Sequence, residues 1–459
     1  MSNPISTIDK TRPSWTKCII LLLVFAALPA VGQPSLQEVL EQSLDQSQAV
    51  KIGEAERDKA RFDRHTVYQT YLPNVSLESS FRSLDEKIRF RMDPLTLPMP
   101  GTNGMDVQLP PITLQDRNTF RASIEVSQVL FTGFRVSRLG QAARYGESAA
   151  EHKIDVEEQE LLQEVMAAYD QLALVDQALA VVAKAEERLA EEQRIAEGAY
   201  KEGLIPAYDL NRLKIAERDL EKERIEWEGK RELAARNLEH LSGISWQAFQ
   251  EDVYDLELLS LDPGSVSGRD RPEVKALKDA GQAAHHQYRA AKSDYMPNVY
   301  AFFRQELYED DLSVLEPARV MGVGLQWDLF DGFNRSRNVQ RAERDRIIAR
   351  ERLDEVESLV ELDRQRAELS VSVAMQKLEV SKEKLNDAET GLRLSTERYR
   401  LGLAPVSEKL EAETDYRRAE MEWLEAVYEQ RRAVMEMLRS TGVMDIEHIV
   451  MLEQQETGG

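Results

Sequence analysis

Six histidines, His65, His152, His240, His285, His286 and His448, are the side chains best able to ligate a transition metal or move a proton near neutral pH, yet none has ligand spacing. His285 and His286 are adjacent and so point to different sides of a helix, which is poor geometry for one ion. Met92, Met99 and Met105 lie in a Pro-rich stretch and could offer thioethers to a soft ion such as copper, but three methionines in a long loop are more simply incidental. No Gly-rich phosphate loop, Gly-x-Ser-x-Gly elbow or metalloprotease helix is present. Neither catalytic residues nor a metal or cofactor are expected, and the chain reads as a non-enzyme. Glu408 and Glu411 fall in what reads as a first helical turn, where a carboxylate favours the helix dipole without further purpose.

Those two acids follow a phrase that the chain writes twice. "YKEGLIPAYDL" runs from Tyr200 to Leu210, and "YRLGLAPVSEKL" from Tyr399 to Leu410. Glycine tolerates the left-handed conformation that ends a helix, and proline is at home where the next begins. Gly203 and Gly402 therefore mark the ends of two long helices, and Pro206 and Pro405 the first positions of the helices that follow. Such chemistry suffices for a helical hairpin. It also leaves Leu204, Ile205, Leu403 and Ala404 as apolar side chains on an otherwise charged extremity, which reads as a docking surface.

Two further landmarks recur. "YLPNV" at Tyr71 is answered by "YMPNV" at Tyr295, and "LFTGFRVSRLGQAA" at Leu130 by "LFDGFNRSRNVQRA" at Leu329. The second pair and the tips share one offset, so the stretch between them is equally long in both halves. The first pair has a larger offset because the first half inserts "MDPLTLPMPGTNGMDVQLPPITLQ", read as an extended surface loop. The duplication predicts a first repeat over residues 33–250, a linker over 251–271, a second repeat over 272–442 and a tail over 443–459.

Each repeat combines two periods. In "FRASIEVSQVLF", Phe120, Ala122, Ile124, Val126 and Leu130 alternate with Arg121, Ser123, Glu125 and Ser127. In "VMGVGLQWDLF", Met321, Val323, Leu325, Trp327 and Leu329 alternate with Gly322, Gly324, Gln326 and Asp328. One apolar and one polar face suit a barrel with lipid outside and water inside, or equally a sheet packed on a soluble core. Between Pro111 and Pro206 there is no proline, and Leu161, Val165, Ala168, Leu172, Val175, Leu179 and Val182 follow a 4-3 spacing that resumes at Leu189. A helix from Val136 to about Gly198 would reach on the order of 95 Å, too long for a compact domain.

At the N-terminus Lys10, Arg12 and Lys17 precede the apolar run from Cys18 to Leu28, and Ala30 and Gly32 prepare a cleavage site before Gln33. Residues 1–32 read as a secretory signal peptide, since an anchor would need roughly 20 apolar residues. Cys18 is the only cysteine, so the mature chain has no disulfide. After Gln33 no apolar stretch is expected to span a membrane as a helix, so a membrane position would have to be reached through a β-barrel. The formal net charge of −23 argues against a nucleic-acid partner. Loss of Lys10, Arg12, Lys17 and Asp9 with the leader makes it −25, and an open duct lined by part of that charge should prefer cations.

The leader, the duplicated halves, the "LF-x-GF" strand ends and the paired "Y-x-x-G-L-x-P" tips together resemble the TolC-like outer-membrane efflux proteins over roughly Leu36 to Gly442. The resemblance implies a mainly α fold with a small β part: long antiparallel helical hairpins in coiled-coil packing form a tunnel, and four strands per chain join a shared twelve-stranded barrel in a homotrimer. It implies an outer-membrane exit duct reaching into the periplasm, in contact with lipid, and served by an inner-membrane transporter through a periplasmic adaptor. The adaptor would dock at tips formed by Tyr200, Gly203, Leu204, Ile205, Pro206, Tyr399, Gly402, Leu403 and Pro405. A periplasmic gate would be formed by Asp209, Tyr399, Glu408 and Glu411. Ala404 departs from the pattern, standing where one well-known member has a basic linking residue. The alternative is a non-channel periplasmic coiled-coil scaffold or adaptor, which has no use for a lipid-facing belt.

Overall fold

The computed structural model describes residues 34–93, 95–97, 105–107, 109–249, 256–259, 271–308, 312 and 316–456. The expected signal peptide and most of the 251–271 linker lie outside these residues, as do Met99 and the side chain of Met105.

Two helices of equal length dominate the chain. Helix α3 runs over Arg135–Lys201 and α6 over Asn334–Arg400, 67 residues each, or about 100 Å at 1.5 Å per residue. Each starts at a Gly-Phe pair with left-handed backbone: φ is 61° and 68° at Gly133 and Phe134, and 67° and 69° at Gly332 and Phe333. Shorter helices line both: α1 (Leu36–Gln46), α2 (Gln48–Gln69), α4 (Ala207–Ser242), α5 (Pro272–Ser293), α7 (Val406–Ser440) and α8 (Ile446–Glu456). The first half of α3 packs on α2 and α5, with ion pairing of Arg64 to Glu147 and a hydrogen bond from Ser148 to Asp279. Its second half packs on α4 and α7, where Asp176 meets Arg231 and Arg188 meets Glu413.

Two partners explain why the buried face of α3 is wider than a single 4-3 seam. Val165, Ala168, Leu172, Val175 and Val182 are buried as the spacing predicts, while Leu161 and Leu179 are only half-buried. Leu162, Met166, Tyr169 and Ala173, each one residue further along, form a second buried stripe. By length and hydropathy α3 does contain a membrane-spanning window, contrary to the sequence expectation, but 67% of that window is buried inside the protein. The apolar residues there serve packing, chiefly through small alanines.

The largest core lies at the waist of the bundle. Leu40 of α1, Met166 and Leu172 of α3, Leu238 of α4, Phe249 of a 3-10 turn, Leu438 of α7, and Met444 and Ile449 beside or within α8 are all almost inaccessible. Each such side chain contributes about 2 kcal/mol by leaving water. The segment after residue 442 is thus built into the waist, and so is Leu259 of the linker region, while Leu256 is buried in a second cluster with Ala173 and Val427.

At one end stands a four-stranded antiparallel sheet in the order β1 (Asn74–Ser83), β6 (Asn118–Phe131), β7 (Asn298–Glu306), β8 (Arg319–Gln326). The insertion of the first repeat is a β-ribbon where a loop was expected. In it β2 (Ile88–Phe90) pairs with β5 (Ile112–Gln115), and β3 (Leu95–Leu97) with β4 (Met105–Val107). Pairing satisfies backbone groups that a long loop would leave to water. Trp327 and Leu329 lie beyond β8, and the Trp327 indole donates to the Tyr295 carbonyl at 3.1 Å.

Candidate functional site

Two places gather the residues singled out in the sequence: the tips of the helical hairpins and the sheet at the opposite end. At the tips, Gly203 and Gly402 have φ of 72° and 71°. Each chain reversal is closed the same way. Leu204 N–H donates to the Ala199 carbonyl and Leu403 N–H to the Arg398 carbonyl, both at 2.8 Å, six-to-one bonds that cap the ends of α3 and α6. Pro206 and Pro405 sit one position before the expected site, as extended residues preceding α4 and α7. Leu204 is 76% exposed and Leu403 69%. Ile205 instead is half-buried and packs against the tip cluster that holds Leu213 and Val406. Tyr200 remains exposed.

Of the expected gate acids, Glu408 pairs within its own hairpin, its carboxylate 3.0 Å from Arg398 Nε, and Glu411 points to solvent. Asp209 is half-buried near Tyr399. The contact between the two hairpins closest to these acids comes from residues that the sequence did not single out. Lys409 of α7 is ion-paired to Glu192 of α3, both largely buried, and its Nζ lies 5.5 Å from the centre of the Tyr399 ring. The Tyr399 hydroxyl lies within electrostatic reach of Glu192 and Asp209. Burial first, then the Glu192 and Asp209 charges, push that hydroxyl up to about 12, so it stays protonated and uncharged. Glu192 lies one residue before position 193, where the 4-3 spacing continues, a faint signal; Lys409 has none.

This contact is one rung of a ladder. Three acids on α3 are buried, and each meets a base from a neighbouring helix: Glu192 meets Lys409, Asp176 meets Arg231 of α4, and Asp170 meets Arg431 of α7. Arg431 also contacts Glu453 of α8 and donates to the Glu257 carbonyl at 2.9 Å. Beside it the Gln430 amide exchanges hydrogen bonds with the Leu259 backbone, at 3.2 and 2.6 Å. A buried charge is tolerable only with a partner of this kind. Among the described residues no group of His, Cys, Asp or Glu is placed to hold a metal ion.

The sheet places one wholly apolar set of side chains on a single face. Residues directly paired across strands share a face. Val75 pairs with Val126, Leu77 with Ile124, Phe81 with Phe120, Val126 with Phe303, Phe303 with Met321, Ala301 with Val323 and Val299 with Leu325. That face is apolar and outward: Val75, Leu77, Phe81, Met321, Val323 and Leu325 are all exposed. The other face carries Ser76, Glu78, Arg121, Ser123, Glu125 and Arg304, and Glu125 pairs with Arg304 across the β6–β7 seam. β1 and β8 form the two edges of this sheet.

The family model described as outer membrane efflux protein matches residues 39–244 and 268–443. Among solved structures, the outer-membrane channel OprN is 20% identical, with 90% of this chain and 91% of that chain covered at a TM-score of 0.72. The CmeC outer membrane channel of Campylobacter jejuni is 14% identical, covering 91% and 88% at 0.70. The open state of the MtrE outer membrane channel of Neisseria gonorrhoeae is 16% identical, covering 89% and 90% at 0.69. At these identities the likeness is one of fold. No curated protein sequence matches the chain.

Proposed function

Because the chain belongs to the outer membrane efflux protein family, whose channels lie in the outer membrane and extend into the periplasm, we propose that it is the exit duct of a tripartite efflux or type I secretion system. It receives cargo from an inner-membrane transporter through a periplasmic adaptor and supplies no energy itself. The observation that carries this reading is the four-stranded sheet with one apolar face and two edge strands, set at one end of two helices of 67 residues each.

Four strands cannot close a barrel, which needs about eight. Three copies joined from β8 of one to β1 of the next give twelve and leave no edge. The helices also call for an adjoining copy. Leu362, Leu369, Val373, Val380 and Leu394 of α6 are exposed within one chain, yet they follow a heptad-like spacing, so they suit the helices of an adjoining copy. In the trimer the two repeats, 33–250 and 272–442, alternate around the axis. The tips, with Leu204 and Leu403 most exposed and Tyr200, Gly203, Pro206, Tyr399, Gly402 and Pro405 shaping them, dock the adaptor. Asp209, Tyr399, Glu408 and Glu411, together with Glu192 and Lys409, govern the opening.

The test is the mass of the complex extracted from outer membranes in mild detergent, measured by light scattering corrected for bound detergent. A mass of three mature chains is expected. A soluble monomer would overturn the duct and favour a periplasmic scaffold.

A further inference from the structure

The two repeats differ at one place in a way that spacing alone does not explain. In the first hairpin the polar face pairs Ser76 with Glu125 and Glu78 with Ser123. By the repeat offsets, the corresponding residues of the second hairpin are Tyr300 with Gly324 and Phe302 with Gly322, and the register pairs them in that way. Two polar pairs have become two aromatic-glycine pairs, with both members changed each time.

The glycines let the rings lie flat on the sheet. A Cβ on Gly324 would stand 2.4 Å from Tyr300 Cζ, and one on Gly322 3.1 Å from Phe302 Cζ. The two ring centres are 6.1 Å apart and tilted by 41°. β7 is an inner strand, between β6 and β8, so a second copy adding to either edge leaves these rings uncovered. They share their face with Arg304 and Glu125, the face that turns to water if the apolar one meets lipid.

Resting on the duct reading, we infer that Tyr300 and Phe302 form an aromatic panel on the lumen wall that binds planar aromatic cargo as it leaves. Three such panels alternate with three polar panels around the barrel. Flat rings flush with the wall offer stacking area at little cost in side-chain entropy, and the ring faces also attract organic cations. The polar panels, with Ser76, Glu78, Ser123 and Glu125, lack any such surface.

The experiment titrates ethidium, a planar aromatic cation, into the detergent-solubilised protein and follows its fluorescence anisotropy. KCl conductance in planar bilayers is measured on the same preparation. The variant Tyr300→Leu/Phe302→Leu keeps apolar bulk over both glycines and is checked for unchanged oligomeric mass. The expected result is saturable ethidium binding by the wild type that weakens roughly tenfold in the double variant. Equal binding by both, or none by either, overturns the panel whatever the conductance shows. Absence of KCl conductance in the wild type overturns the duct and with it the lumen placement, while ethidium binding that weakens in the double variant would still support the aromatic pair as the binding surface.

Discussion

Asp170 and Arg431 stand 261 residues apart in sequence, yet Asp170 Oδ1 lies 2.9 Å from Arg431 Nη2, and both side chains are at most 2% exposed. The pair joins α3 to α7 at the waist, and through Glu453 and the Glu257 carbonyl Arg431 also holds α8 and the linker segment. Replacing Arg431 by Met leaves Asp170 without its buried counter-charge and should cost about 3–5 kcal/mol. The double variant Asp170→Asn/Arg431→Met should recover part of that loss. Thermal unfolding of the solubilised protein reads both, and additive losses would show that the pair is not coupled.

The Glu192–Lys409 contact ties the second helical hairpin to the first close to the tips. Lys409→Met removes the charged partner while keeping the stem, and an ion pair of this burial is worth about 1.5–3 kcal/mol. The expected outcome is a higher single-channel conductance or open probability in planar bilayers. Glu192→Gln should act in the same direction. Unchanged conductance in both variants would remove these residues from the gate.

Tyr399 carries the pH dependence of that contact. Its hydroxyl is pushed up to about 12 by burial and by the acids beside it, above the ordinary tyrosine value of about 10. A raised value means that the protonated, uncharged form is favoured in the folded tips. Its contribution is complete below pH 10 and is lost as pH rises through 12. Conductance should therefore stay level from neutral pH to about pH 10 and rise above it, and Tyr399→Phe, which has no hydroxyl to ionise, should show no rise in that window.

Gly133 and Gly332 occupy the same place in the two repeats and both have left-handed φ. Alanine at either is strained by about 1 kcal/mol. At Gly133 an added Cβ would also lie 2.8 Å from the Ser293 carbonyl oxygen and 2.4 Å from Met296 Cβ, whereas at Gly332 it meets open space. Gly133→Ala should thus lower the thermal midpoint clearly more than Gly332→Ala. Equal losses would show that backbone strain alone governs both turns.

Leu204 and Leu403 are the most exposed apolar side chains of the tips. Changing both to Asp should leave mass and stability within about 0.5 kcal/mol of wild type, as exposed substitutions do. Capture of the cognate adaptor by site-specific cross-linking at Tyr200 should be abolished. Retained cross-linking would place the docking surface elsewhere.

What the sequence determined by itself is everything written in a local period. Alternation in "FRASIEVSQVLF" marks a strand, an uninterrupted 4-3 run marks a helix, and Gly203 with Pro206 marks a tip; each depends on neighbours a few residues away. The duplication then sets their order, because equal offsets compare the chain with itself. The tertiary structure decided what depends on distant partners. It packed Ile205 against the tip cluster, turned the inserted segment into a ribbon, and gave α3 a second buried stripe because two helices flank it. It selected Glu192 and Lys409 from among many exposed acids and bases, since only the packing of α3 on α7 removes that pair from water. It also separated Gly133 from Gly332 by bringing Ser293 and Met296 against one alone. A one-dimensional pattern carries the period of a side chain but not the atoms it will meet, and those atoms set the energies.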